Sequence, residues 1–165
     1  MRELEPAGRD RRAGLALMDR GRPAEVLLVD DSRGDAVLAQ RAFKELPVPT
    51  SVTIASTGEI ALEILRQQGE YGDKVLPDVI LLDLILPQMS GMDVLEAIKT
   101  DAKLKHIPVI VMSSSGAGQN ILKAYREYAN AYLIKPVDMP QYRTAIFMIE
   151  KFFFGLATLP ATVDD

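Results

Sequence analysis

The stretch VLLVDDSRGDAVLAQRAFKEL, residues 26–46, sets the pattern that decides the fold. Val26–Val29 is a run of four apolar residues cut off by Asp30 and Asp31. A short apolar run with no polar alternation is the mark of a strand covered on both faces. From Asp35 to Leu46, Ala36, Ala39 and Phe43 fall on one helical face, and Pro47 and Pro49 stop the helix. The alternation then continues. Strand Val52–Ala55 precedes helix Glu59–Gln68, and strand Val79–Leu82 precedes helix Met92–Lys99. Val109–Met112 leads to Ile121–Ala129, and Tyr132–Ile134 leads to Gln141–Phe154. Five strands alternating with five helices predict the α/β class, a five-stranded parallel sheet with helices on both sides. Right-handed crossovers favour the flavodoxin-like, doubly wound order 2-1-3-4-5.

Composition excludes several chemistries. The 165 residues contain no Cys, which removes disulfides, thiolate metal sites and a Cys nucleophile. One histidine, His106, removes multi-His metal sites; it precedes Pro108 and is expected in a solvated loop. The net charge of −4 offers no footprint for nucleic acid. No apolar run reaches the length of a membrane span, and the charged N-terminus does not read as a secretory signal. The expected location is the cytoplasm. Residues 1–23 carry six Arg against four acids, without an apolar period, and read as a flexible tail, with Met18 a possible alternative start. The domain is expected over 24–155, followed by an extension over 156–165.

In a sheet of this kind, ligands bind at the carboxyl ends of the strands. The first strand ends in Asp30 and Asp31, the third in Asp83, the fourth in Ser113 and the fifth in Lys135–Pro136. Each Asp alone could be a helix cap, and Ser113 could cap as well. Together they place three carboxylates, a hydroxyl and an ammonium on one rim. Two carboxylates ~4 Å apart repel by about 4 kcal/mol at an effective dielectric of 20. Lys135 alone leaves the cluster negative, so a hard divalent cation with oxygen ligands, Mg²⁺, is expected among them. Such a set suits attack by a carboxylate on phosphorus. The metal and Lys135 would neutralise charge on the phosphoryl oxygens, and Ser113 would donate to one of them.

The residues LLVDD (27–31), ILLDLILPQMSG (80–91), VIVMSSS (109–115) and YLIKP (132–136) resemble the receiver domain of two-component response regulators. Ser113 lies 30 residues beyond Asp83 and Lys135 lies 52 beyond it, as in that family. The resemblance implies that Asp83 is the phosphoacceptor, fed by a sensor histidine kinase. It implies that Asp30, Asp31, Asp83 and the main-chain carbonyl of Ile85 hold Mg²⁺. It makes Ser113 the switch hydroxyl, Tyr132 the switch aromatic and Lys135 the family's lysine. It also implies a cis Lys135–Pro136 bond, and Pro87 and Gly91 match the loop after the phosphoacceptor. Ile85 cannot orient water by hydrogen bonding, so dephosphorylation is expected to take minutes to hours.

About ten residues follow the fifth helix. The expected protein is therefore a stand-alone receiver that signals through a docking surface to a downstream protein, or relays phosphate onward. DDSRGDAVLAQRAF, YREYANAYLIKPVD and FFFGLATLP look like regulators that partner bacterial phytochrome kinases. The last helix is apolar around too much of its circumference for a surface helix. Either its end folds back on its own domain, or it forms a homodimer with the extension; the dimer is the favoured expectation. Two other activities fit less well. An aspartyl-phosphate phosphatase of the haloacid dehalogenase type wants a second Asp where Ile85 stands. A nucleotide- or flavin-binding domain wants a glycine-rich phosphate loop where Asp30-Asp31-Ser32-Arg33 stands.

Overall fold

A computed structural model describes residues 22–160. The strands are β1 (Ala24–Val29), β2 (Thr50–Ala55), β3 (Val79–Leu82), β4 (Val109–Ser113) and β5 (Ala131–Ile134). The helices are α1 (Arg33–Lys44), α2 (Gly58–Leu65), α3 (Gly91–Thr100), α4 (Gly118–Arg126) and α5 (Met139–Ile149). All strands are parallel, in the order β2-β1-β3-β4-β5. The predicted class and strand order are both found. The tail, apart from Arg22 and Pro23, and residues 161–165 of the extension lie outside the described residues.

The apolar strand runs do their work in two directions. Leu27, Val29, Ile80, Leu82, Val109 and Val111 face one core with α2 and α3. Val26, Leu28, Val79, Leu81, Ile110 and Met112 face the other with α1 and α5. Every residue of β3 is fully buried, each contributing about 1.5–3 kcal/mol relative to exposure. The edge strand β5 is only half-buried, and Ile134 at its end is 56% exposed.

Helix starts follow from caps. Ser32, Thr57, Ser90 and Asp138 each accept the amide hydrogen of a residue three positions on. Each of these helices therefore begins just after its cap. Two helices end earlier than expected. Gln67 and Tyr128 take left-handed φ values of 54° and 68°, which end α2 and α4 before Gln68 and Ala129. The last helix also differs. Regular α-helix stops at Ile149, and Glu150–Leu156 forms a wider π-type turn, closed by the Ala157 amide on the Phe152 carbonyl. The wider turn lowers the angle per residue below 100°, so the expected wheel does not apply there. Phe154 turns into the core, while Met148, Phe152 and Leu156 remain exposed.

The expected cis bond at Lys135–Pro136 is corrected: no peptide bond among the described residues is cis. Proline weakens the trans preference without abolishing it.

Candidate functional site

The sheet register builds the rim. Val29 pairs with Leu82, so the next residues, Asp30 and Asp83, leave adjacent strands at the same level. Backbone bonds fix both: the Asp30 amide donates to the Ala55 carbonyl (3.0 Å) and the Asp83 amide to the Val29 carbonyl (2.9 Å). On the other side, Ser113 pairs with Ile134, and the Lys135 amide donates to the Ser113 carbonyl (2.8 Å). Three of these side chains meet directly. Lys135 Nζ lies 2.8 Å from Asp30 Oδ2 and 2.9 Å from Asp83 Oδ2. Asp30 and Asp83 are buried while Asp31 is exposed.

The remaining oxygens are also engaged. The Ser32 amide donates to Asp30 Oδ1 (2.8 Å), and the Ile85 amide donates to Asp83 Oδ1 (3.1 Å). Burial pushes the Asp30 carboxyl above its usual range, aided by the charge of Asp83; hydrogen bonds from Lys135 and the Ser32 amide oppose the rise. Burial alone would lower the Lys135 ammonium, yet the hydrogen bonds it donates to Asp30, Asp35 and Asp83 outweigh burial and raise it. Lys135 is therefore charged at any working pH.

Carboxylate oxygens of Asp30, Asp31 and Asp83 come within 4.8 Å of one another. Three hard oxygen donors, balanced by one ammonium, fit a divalent cation of the Mg²⁺ or Mn²⁺ kind. Ile85 joins them through its amide, and its side chain is exposed. Ser113 is fully buried; its hydroxyl accepts the Ser115 amide (3.3 Å). Tyr132 donates its hydroxyl to the Ser115 carbonyl (2.6 Å). Ser113 and Tyr132 thus meet on one residue, Ser115. His106 is exposed, as expected.

The strand order and this rim agree with one family model, the response regulator receiver domain, which matches residues 26–147. The chain belongs to that family. Phosphorylation-dependent signalling is the family function, and receiver domains bind Mg²⁺ or Mn²⁺ at an acidic pocket. Response regulator Rcp1 of Synechocystis sp. is 37% identical over 139 residues, 84% of this chain and 95% of the relative. The crystal structure of the phosphorylated cyanobacterial phytochrome response regulator RcpA is 38% identical, with a TM-score of 0.81; the match covers 85% of this chain and 100% of that chain. The Mn²⁺-bound form of Rcp1 gives 37% identity and a TM-score of 0.79, over 84% of this chain and 100% of that one.

One residue of the receiver site was not foreseen. Asp35 Oδ2 lies 2.8 Å from Lys135 Nζ, as close as Asp30. In the sequence, Asp35 stands three residues after Ser32 and reads as the start of a helix. The available signal was its place one turn beyond Asp30-Asp31, which brings it back over the strand end.

Proposed function

We propose that this receiver takes a phosphoryl group from a histidine kinase onto Asp83. The contact between Asp83 and Lys135 inside the triad of Asp30, Asp31 and Asp83 carries the reading. The P–N bond of the kinase phosphohistidine breaks, an Asp83 carboxylate oxygen bonds to phosphorus, and the imidazole leaves. Asp30, Asp31, Asp83 and the carbonyl of Ile85 are the residues that would hold Mg²⁺, which when bound offsets negative charge on the phosphoryl oxygens. Lys135 supplies a second positive charge, and Ser113 supplies a hydroxyl to one oxygen. Tyr132 follows Ser113, because both are tied to Ser115. The protein acts as a phosphoacceptor and not as an enzyme with a separate substrate. The exposed apolar Ile85 side chain supports slow loss of the phosphoryl group.

The kinase is proposed to be of the phytochrome type, supported by the likeness to RcpA and Rcp1. The site of action is proposed to be the cytoplasm; no described helix is long and apolar enough to cross a membrane. The working unit is proposed to be a homodimer through α5 and the following turn. A groove of about 1030 Å³ runs between β5 and α5. Around it Ile134, Val137, Met148 and Phe152 are all more than half exposed, which suits a second copy.

Incubation with acetyl phosphate and Mg²⁺ tests the chemistry. Intact mass should rise by one phosphoryl group, and the gain should vanish in Asp83→Asn. A gain that survives Asp83→Asn refutes the assignment. Sedimentation at micromolar concentration tests the assembly. A monomer with and without phosphate refutes the dimer, and Phe152→Glu should produce that monomer.

A further inference from the structure

Two helices of this receiver start with the same pattern, Ser followed three residues later by Asp, and only one uses it as a cap in both directions. At α3, Ser90 accepts the Asp93 amide and Asp93 Oδ2 accepts the Ser90 amide (3.3 Å), a closed capping box. At α1, Ser32 accepts the Asp35 amide (3.3 Å), but the Ser32 amide is turned away to Asp30 Oδ1. The Asp35 carboxylate is left free of its capping role and reaches Lys135 instead. A local rule is broken where the chemistry lies, which is where such breaks are expected.

The consequence follows from which oxygens are occupied. Asp30 and Asp83 each have one oxygen on a backbone amide and the other on Lys135. A divalent cation shared by Asp30, Asp31 and Asp83 competes with Lys135 for those carboxylates. Asp35 lies outside that metal-binding triad.

We propose that Asp35 is a positioning residue that anchors the Lys135 ammonium in the pocket while a divalent cation holds Asp30, Asp31 and Asp83. The proposal rests on the metal reading given above. Asp35 keeps Lys135 hydrogen-bonded and within reach of the oxygens that a phosphoryl group on Asp83 would bring. Without Asp35, cation binding strips the ammonium of its fixed partners.

The test uses the whole chain, MgCl₂ and three variants: Asp35→Asn, Asp35→Glu and, as a capping control, Asp93→Asn. Calorimetric titration gives the Mg²⁺ affinity. Nitrogen NMR of the lysine side chains reports whether the Lys135 ammonium protons are held in slow exchange at saturating Mg²⁺. Asp35→Asn should weaken Mg²⁺ by about tenfold, the low end for a charge-assisted hydrogen bond at a partly exposed site. It should also abolish the slowly exchanging Lys135 signal in the Mg²⁺ state, while leaving it in the metal-free state. Asp35→Glu should restore part of both, and Asp93→Asn should change neither. An ammonium equally immobile with Mg²⁺ in Asp35→Asn, or an unchanged affinity, overturns the proposal. Failure of the unaltered protein to bind Mg²⁺ overturns the metal reading and the proposal with it. A capping role alone would lower thermal stability in both Asp variants and leave the ammonium signal intact.

Discussion

Gly91 opens α3, and its amide donates to the Leu84 carbonyl (2.9 Å), folding the loop after Asp83 back on itself. A Cβ placed on Gly91 would sit 2.1 Å from the Asp83 carbonyl oxygen, 2.5 Å from Leu84 Cα and 2.9 Å from the Asp83 carbonyl carbon. All three are backbone atoms, so no rotamer relieves the clash. Either α3 or the Asp83–Leu84 peptide must move by about 1 Å. Overpacking ordinarily costs about 1–3 kcal/mol, and overlap with fixed backbone on three atoms puts Gly91→Ala at or above about 3 kcal/mol. A typical domain holds about 5–15 kcal/mol in reserve, so the variant should still be folded in the cold. Asp83, the proposed phosphoacceptor, would be displaced, and a 1 Å misplacement of a reacting group can cost about 100-fold in rate.

The matched control is Gly118→Ala. Gly118 also opens a helix, yet a Cβ there meets nothing within 4 Å. It should be neutral or gain up to about 0.8–1 kcal/mol from helix propensity. Urea denaturation gives the stability of each variant, and the time course of acetyl phosphate labelling gives the rate at Asp83. Gly91→Ala should be the less stable by several kcal/mol and label about 10–100-fold more slowly. If the two variants unfold at the same urea concentration and label at the same rate, the argument from the tight loop is wrong.

Other perturbations reach parts of the fold away from the acidic cluster. Glu150 is buried and its Oε2 has no hydrogen-bond partner among the described residues; burial raises its carboxyl above the ordinary 4.5, against the charge of Lys151. The folded state therefore holds that proton longer than the unfolded one, and the penalty appears as pH rises from about 4.5 through the raised value, then stays constant. Glu150→Gln should melt a few degrees higher at pH 7 and lose that advantage toward pH 4; an equal advantage at both pH values would refute the linkage. Lys99 donates to the carbonyls of Lys105 (3.1 Å) and Ile107 (2.8 Å) and to Asn130 Oδ1 (3.1 Å), joining α3 to the loop before β4 and to the start of β5. Lys99→Met should cost about 1.5–3 kcal/mol in urea denaturation, and a loss below about 0.5 kcal/mol would show the three bonds to be idle. The Tyr142 hydroxyl is buried without a partner among the described residues; burial, then the charge of Asp35, push it up to about 12. Tyr142→Phe should leave thermal stability unchanged or raise it by up to about 1–3 kcal/mol, whereas a clear loss would mean that the hydroxyl is bonded.

The strands were the most legible part of the chain. Val79–Leu82 appears with the predicted ends because four buried residues lie between Asp78 and Asp83. The rim residues were equally legible, since a parallel sheet brings every strand end to one side. Helix ends were less so. Apolar periodicity locates the buried face, whereas caps and left-handed residues such as Gln67 set the limits. The end of α5 was misread because periodicity presumes 3.6 residues per turn, and Glu150–Leu156 does not keep it. Asp35 was hidden for a different reason. Its partner is 100 residues away in sequence, and its immediate neighbours spell an ordinary helix start.

The topology separates two jobs and joins them at one place. Asp30 and Asp83 directly follow β1 and β3, two interior strands of the sheet that are packed between helices on both faces. That packing leaves the carboxylates little freedom, which a crowded set of like charges needs if it is to hold its geometry. Exposed apolar side chains, Ile134, Val137, Met148 and Phe152 among them, lie at the end of the edge strand β5, along α5 and in the turn after it. Lys135 belongs to both. Its amide is bonded to Ser113 at the end of β4, its ammonium sits among the carboxylates, and its own backbone continues β5 into the loop before α5. Ser113 and Tyr132 meet on Ser115 beside the same junction. Lys135 thus ties the acidic cluster to a segment that carries exposed apolar side chains. A pocket built wholly on the interior strands would have no such link.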